Sequence, residues 1–139
     1  MTRVDFHFNA ADKLHYACRL VRKIHRSGSR VVVFSSNPSQ LAEFDRMLWA
    51  FSPLDFIPHV AVIDRLAAET PVLLASGDAP APHHEVMVNL GPDTPAHFSR
   101  FDRLLEIVST DEDDRAAGRE RWKFYRQRGY PMHRHDCAA

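Results

Sequence analysis

The sequence lacks most features that mark secreted, membrane or nucleotide-binding proteins. It has only two cysteines and five glycines among its 139 residues, and its eighteen basic residues are balanced by eighteen acidic ones. Cys18, in a helical pattern, and Cys137, near the C-terminus, give no disulfide framework. An N-terminal apolar segment of signal-peptide type and a run of membrane-spanning length are also missing. We therefore expect a cytoplasmic protein whose net charge would not attract nucleic acid.

Catalytic and cofactor motifs are missing too. The apolar run Val31–Phe34 is followed by Ser35-Ser36-Asn37-Pro38, which has neither the glycines of a dinucleotide-binding loop nor the lysine of a P-loop. A G-x-S-x-G nucleophile motif does not occur. The two serines could hold an anion at a helix N-terminus, but helix capping is the favoured interpretation. We expect no catalytic residue and no cofactor.

Nine histidines raise the question of a metal site. The candidate ligands are His83, His84, His133, His135 and Cys137. Their spacing fits no zinc pattern, and they fall in a loop and near the chain end. Solvated histidines in mobile segments are the favoured interpretation, so we expect no bound metal.

The apolar pattern predicts alternating strands and helices. We expect strands at residues 3–8, 31–34, 70–75, 85–90 and 104–108, with helices after the first, second and fifth. This order predicts a single-domain, three-layer α/β/α fold with a mostly parallel sheet, Rossmann-like but without a nucleotide-binding loop. An antiparallel strand pair around the 76–84 loop stays open as a variant. We expect the domain to cover residues 1–131 and residues 132–139 to form a flexible tail.

Helix boundaries can be predicted from capping residues. Asn37 should cap the second helix, with Gln40 completing a capping box. The third helix should be capped by Ser109 or Thr110 and stopped by Gly129.

The third helix carries a basic stripe with a tryptophan at its centre. At about 100° per residue, the members of the stripe project within one arc of roughly 100°. They are Arg115, Arg119, Trp122, Lys123 and Arg126. On the opposite side, Ala117, Phe124 and Tyr125 should face the sheet, whereas Arg121 and Arg128 fit neither side. The stripe is either a site for an anionic, partly apolar ligand or a solvated basic face.

The segment from residue 48 to 59 combines large aromatic residues with prolines. Trp49, Phe51 and Phe56 lie in this turn region, where proline tends to hold the backbone in an exposed conformation. A partner site and closure of the core edge are both open interpretations.

Several of these segments, in this order, resemble the chi subunit family of bacterial DNA polymerase III. The matching segments are Gly28-x-Arg30-Val31, Leu48-Trp49, Phe56-Ile57-Pro58-His59 and Arg119-Glu120-Arg121-Trp122-Lys123-x-Tyr125-Arg126 followed by Gly129. The resemblance spans nearly the whole chain. Trp122 stands where the family pattern leads us to expect tyrosine.

The resemblance implies a non-catalytic α/β subunit of the replicase, attached to the clamp-loader complex. It implies two partners: the psi subunit, or a helicase that competes for the same surface, and the acidic C-terminal tail of single-stranded-DNA-binding protein. By matching position, the tail-binding residues would be Val108, Arg115, Arg119, Trp122, Lys123 and Gly129. The psi-binding residues would be Trp49, Phe56, Pro58 and His59.

Two other functions remain as alternatives. The basic stripe could bind single-stranded nucleic acid directly, with Trp122 stacking on a base. A small α/β enzyme is the second alternative, and it would need a cluster of polar groups near Ser35 or His7 at the ends of strands.

Overall fold

A computed structural model describes residues 1–51 and 56–138. These residues form one seven-stranded sheet, in the order β3-β4-β2-β5-β6-β1-β7, in which every neighbouring pair is parallel. The strands are β1 (Arg3–Ala10), β2 (Val31–Phe34), β3 (His59–Ala61), β4 (Val72–Ala75), β5 (Val86–Asn89), β6 (Arg103–Ser109) and β7 (Met132–Asp136). The helices are α1 (Lys13–Arg26), α2 (Pro38–Ala50) and α3 (Glu112–Gln127), with short 3-10 turns at Ala67–Glu69 and Phe98–Arg100.

The helices cover the sheet from two sides. Apolar residues of α1 and α2 share one core with the strand residues that point toward them, such as Val33 and Ile107. Tyr125 and Trp122 of α3 share the other core with Val4 and Phe6. The central strand β2 is buried along its whole length, as expected for a parallel strand with both faces covered. The predicted mostly parallel α/β fold is confirmed.

The antiparallel pair that the sequence left open as a variant does not form around the 76–84 loop. Strands β4 and β5, which flank the 76–84 loop, are not neighbours: each pairs with β2, in parallel, on opposite sides. Consecutive parallel strands need a crossover, and this loop makes it. The sequence analysis also missed β3, a three-residue edge strand.

The chain end likewise differs from the expected tail. Met132–Asp136 forms the edge strand β7 and pairs in parallel with β1 along five residues. Its side chains are mostly polar and exposed, since only one strand edge and one face meet the protein. An apolar pattern of the kind that predicts strands is therefore missing, although residues 132–136 belong to the sheet.

The structure differs from two capping predictions, the capping box at Gln40 and the N-cap of α3. Asn37 caps α2 as predicted, accepting hydrogen bonds from the N–H groups of Ser39 and Gln40. The Gln40 side chain, however, accepts a bond from the Ser35 hydroxyl and does not close a capping box. The N-cap of α3 is Asp111 and not Ser109 or Thr110 as predicted, and its carboxylate accepts the N–H of Asp114.

Candidate functional site: a cationic pocket beside an aromatic surface

A pocket of about 480 Å3 lies between α3 and strands β1, β6 and β7. Strand β7 is the edge strand of the sheet at this site and lies beside β1. The lining residues are Phe6, Phe8, Asn9, Val108, Ser109, Arg115, Gly118, Arg119, Trp122, Lys123 and Arg134.

The floor of the pocket is apolar. Phe6 and Phe8 point toward α3 because alternate residues of a strand share one face. The rings of Phe6 and Trp122 meet edge to face with centroids 5.1 Å apart. Gly118 lets the helix approach closely, since a Cβ at this position would lie 2.9 Å from Cγ2 of Val108. The pocket therefore has an aromatic and aliphatic floor. The approach of Gly118 to Val108 sets how close α3 lies to this floor.

The rim of the pocket is cationic. Arg115, Arg119 and Lys123 come from α3, and Arg134 comes from β7 on the other side. Lys123 lies 3.4 Å from the exposed carboxylate of Glu120, a contact that contributes little to stability. Within residues 1–51 and 56–138, no carboxylate forms an ion pair with the other three. Their charges are available to an anionic ligand.

A buried polar network holds α3 from behind. Glu106, fully buried on β6, accepts hydrogen bonds from Arg121 Nε at 3.0 Å and from the Tyr125 hydroxyl at 2.6 Å. Asn89 donates to both of its carboxylate oxygens. Burial raises the pKa of the Glu106 carboxyl, and the Arg121 guanidinium opposes that rise. Arg121, which fits neither face in the sequence pattern, is therefore a structural residue.

Five of the six predicted tail-binding residues line the pocket: Val108, Arg115, Arg119, Trp122 and Lys123. Gly129 does not. It follows α3 with φ of 78°, so its place is to end the helix. Arg126 is exposed but outside the lining as well.

The sequence analysis missed six lining residues: Phe6, Phe8, Asn9, Ser109, Gly118 and Arg134. Most of them belong to strands that only the tertiary fold brings to α3. The alternation of Phe6 and Phe8 along β1 is a signal in the sequence, because it places both rings on one face of the strand.

A second surface carries exposed aromatic residues near the end of α2. The side chains of Trp49 and Phe56 are 54% and 67% exposed, and their rings lie 5.4 Å apart. His59, which the resemblance places at the same surface, is only 5% exposed, so little of its side chain can contact a partner. Its ring lies 4.4 Å from that of Trp49, its Nδ1 lies 2.7 Å from the Ile57 carbonyl oxygen and its Nε2 lies 2.9 Å from Asp45. His59 supports Trp49 from behind.

Pro58, the fourth predicted residue of the aromatic surface, is half-buried. The predicted proline-rich turn lies partly outside the described residues, since residues 52–55 are not among them.

Polar groups elsewhere are engaged in local structure. Ser35 is fully buried, and its hydroxyl accepts the N–H of Asn37. His7 Nδ1 lies 2.6 Å from the Tyr16 hydroxyl, and burial lowers the pKa of His7 to about 4. In the described part of the chain, no three histidine, cysteine or acidic side chains are arranged to hold a metal ion. Among the same residues, no helix is both long and apolar enough to cross a membrane.

Comparison with known proteins relates this architecture to a family. Residues 1–133 match the family described as DNA polymerase III chi subunit, HolC. The chain belongs to the DNA polymerase III chi subunit family. The match includes β1, β6 and α3, which build most of the pocket, and extends to the start of β7.

Three chi subunits illustrate the similarity. The DNA polymerase III subunit chi of Pseudomonas aeruginosa strain PAO1 is 37% identical over 139 residues, covering 97% of this chain and 96% of the relative. The subunit chi of Haemophilus influenzae is 28% identical over 117 residues, covering 84% and 81%. That of Escherichia coli K12 is 23% identical over 116 residues, covering 83% and 79%.

Membership of the chi family confirms the predicted resemblance. It makes the chain an accessory, not a catalytic, component of the DNA polymerase III complex.

Proposed function

We propose that this chi-family chain links the polymerase III complex to the acidic C-terminal tail of single-stranded-DNA-binding protein. The tail would bind in the cationic pocket, and psi, or a helicase competing with it, would bind the surface of Trp49 and Phe56. The observation that carries the proposal is the combination, in one pocket, of an apolar floor and a cationic rim on which Arg115, Arg119 and Arg134 pair with no carboxylate of the described residues.

The pocket suits a peptide end better than an internal segment. An apolar C-terminal side chain can fill the floor beside Phe6 and Trp122, while the terminal carboxylate meets Arg119 and Lys123. Burying one large apolar side chain contributes about 1.5–3 kcal/mol, and exposed ion pairs contribute about 0.2–1 kcal/mol each. The contact should therefore be weak and salt-sensitive, and it becomes effective when a partner presents several tails at once.

The aromatic surface suits a protein partner of a different kind. Trp49 and Phe56 expose apolar rings side by side, as aromatic residues at the centre of protein interfaces do. The His59 ring packs against that of Trp49, with centroids 4.4 Å apart. This supports a separate, mainly apolar interaction with psi.

Direct binding of single-stranded nucleic acid is less well supported. Base stacking needs open aromatic faces along a groove. In the pocket, Trp122 is half-buried and packs against Phe6, and the chain has no net charge at pH 7.

Tryptophan fluorescence can test both surfaces in one experiment, because the chain has only two tryptophans, Trp49 and Trp122. Trp49→Phe leaves Trp122 as the only tryptophan, and Trp122→Phe leaves Trp49. Each variant is titrated with an acidic peptide that ends in an apolar residue, with purified psi, and with an oligonucleotide. The peptide should change the emission of Trp122 alone, psi that of Trp49 alone, and the oligonucleotide neither.

Each result has a clear consequence. A peptide response in the Trp122→Phe variant, or none in the Trp49→Phe variant, contradicts the assignment of the tail to the pocket. A response of Trp122 to the oligonucleotide that the peptide cannot compete away would favour nucleic-acid binding instead.

A further inference from the structure

One cation of the pocket does not belong to α3. Arg134 lies on β7, in register with Phe6 of β1, and its guanidinium carbon is 5.7 Å from the ring centroid of Phe8. Arg134 and Arg119 line the same pocket from two different elements, β7 and α3. The pocket is bounded by positive charge on two sides that are separate elements of the fold.

The position of Arg134 is fixed by the pairing of β7 with β1. Beyond it, the Asn9 side chain donates to Asp136 at 3.1 Å, and the Cys137 N–H donates to the Phe8 carbonyl at 2.9 Å. The guanidinium is exposed and, among the described residues, has no carboxylate partner. Stacking of the guanidinium on an aromatic ring leaves its N–H groups free to bind carboxylates.

The opposite end of the pocket is unfavourable for an acidic chain. The first turn of α3 carries Glu112, Asp113 and Asp114, directly before Arg115. Asp114 is paired with Lys13 at 2.9 Å, but the exposed Glu112 and Asp113 would repel acidic side chains that leave the pocket in that direction. The path over β7 leads past Arg134 instead, so the charge distribution favours that exit.

We propose that Arg134 is a specificity-determining contact that binds the acidic side chains preceding the apolar end of the tail. This inference rests on the proposed tail binding and assigns different parts of the tail to different cations of the pocket. Arg119 and Lys123 bind the terminal carboxylate, and Arg134 recognises the acidic character of the residues before it.

Fluorescence anisotropy with two labelled peptides of equal length tests this division. One has acidic residues before an apolar C-terminal residue, and in the other the acidic side chains are replaced by their amides. The full chain is compared with Arg134→Ala, Arg134→Lys and Arg119→Ala, and with Arg65→Ala as a control. Arg65 is exposed and lies beyond β3, at the opposite edge of the sheet.

Arg134→Ala should weaken binding of the acidic peptide about threefold to fivefold at low salt and leave the amide peptide unchanged. Arg134→Lys should restore part of the loss. Arg119→Ala should weaken both peptides, and Arg65→Ala neither.

The outcomes separate the two proposals. If Arg119→Ala weakens binding but Arg134→Ala affects neither peptide, or both equally, the role of Arg134 is wrong and the tail pocket stands. If the unmodified chain binds neither peptide, the proposed function fails, and the role of Arg134 fails with it.

Discussion

Two arginines of α3, only two residues apart, have opposite surroundings. Arg121 is 3% exposed and bonds to the buried Glu106, whereas Arg119 is exposed on the pocket rim and pairs with no carboxylate of the described chain. A rotation of about 200° along the helix separates them. The buried side of α3 holds the helix on the sheet through the bond of Arg121 to Glu106. The pocket side presents the charge of Arg119, which pairs with no carboxylate of the described residues.

The unpaired charge of Arg119 is informative because other arginines of the same helix have their charge paired or stacked within the fold. Arg121 reaches the Pro92 carbonyl as well as Glu106, and Arg128 stacks 3.8 Å from the ring centroid of Phe124. The two kinds of arginine therefore predict different results on mutation: loss of stability on one side, loss of binding on the other.

Arg121→Ala should have the largest effect on stability. It leaves the Glu106 carboxylate buried without its charged partner, and breaking a buried pair in this way costs about 3–5 kcal/mol. We expect that decrease in the free energy of unfolding, measured by urea denaturation. The double variant Arg121→Met with Glu106→Gln removes both charges and should lose much less. A decrease below about 1 kcal/mol in Arg121→Ala would contradict the structural role of this arginine.

Gly118→Ala should have an intermediate effect that connects the two sides of α3. The added methyl meets the Val108 side chain, so the helix must shift outward, which costs about 1–3 kcal/mol. The better helix propensity of alanine offsets up to about 1 kcal/mol of that cost.

A double-mutant cycle with Val108→Ala isolates the contact in thermal or urea unfolding. The double variant should be more stable than the sum of the two single effects predicts, by about 1 kcal/mol. Additive effects would show that the approach of Gly118 to Val108 does not set the distance between helix and sheet.

Much of the fold could be predicted from the sequence because local patterns dominate it. The apolar run of β2 predicts a buried strand, and the helices predicted after the first, second and fifth expected strands are present as α1, α2 and α3. The strands β3 and β7 could not be predicted: β3 is three residues long, and β7 has a mostly polar pattern. Edge strands owe their structure to backbone pairing with a neighbour, which the pattern of side chains does not record.

The helical part of the site could be predicted for the same reason, and the rest could not. Arg119 and Trp122 share a face by helical periodicity alone. Arg134 and Phe8 reach the pocket only through the parallel pairing of β7 with β1, between segments more than a hundred residues apart. In contrast, the family pattern placed His59 at a surface, and the structure buries it against the ring of Trp49.

Isothermal titration calorimetry of an acidic peptide with a free, apolar C-terminus tests the central claim most directly. The unmodified chain should bind with measurable heat, and Arg119→Ala should bind about fivefold more weakly, a loss of about 1 kcal/mol. Arg126→Ala, the same change on the same helix but outside the pocket lining, should bind as the unmodified chain does. No heat with the unmodified chain, or equal affinity of the Arg119→Ala variant, would contradict a tail-binding pocket on α3.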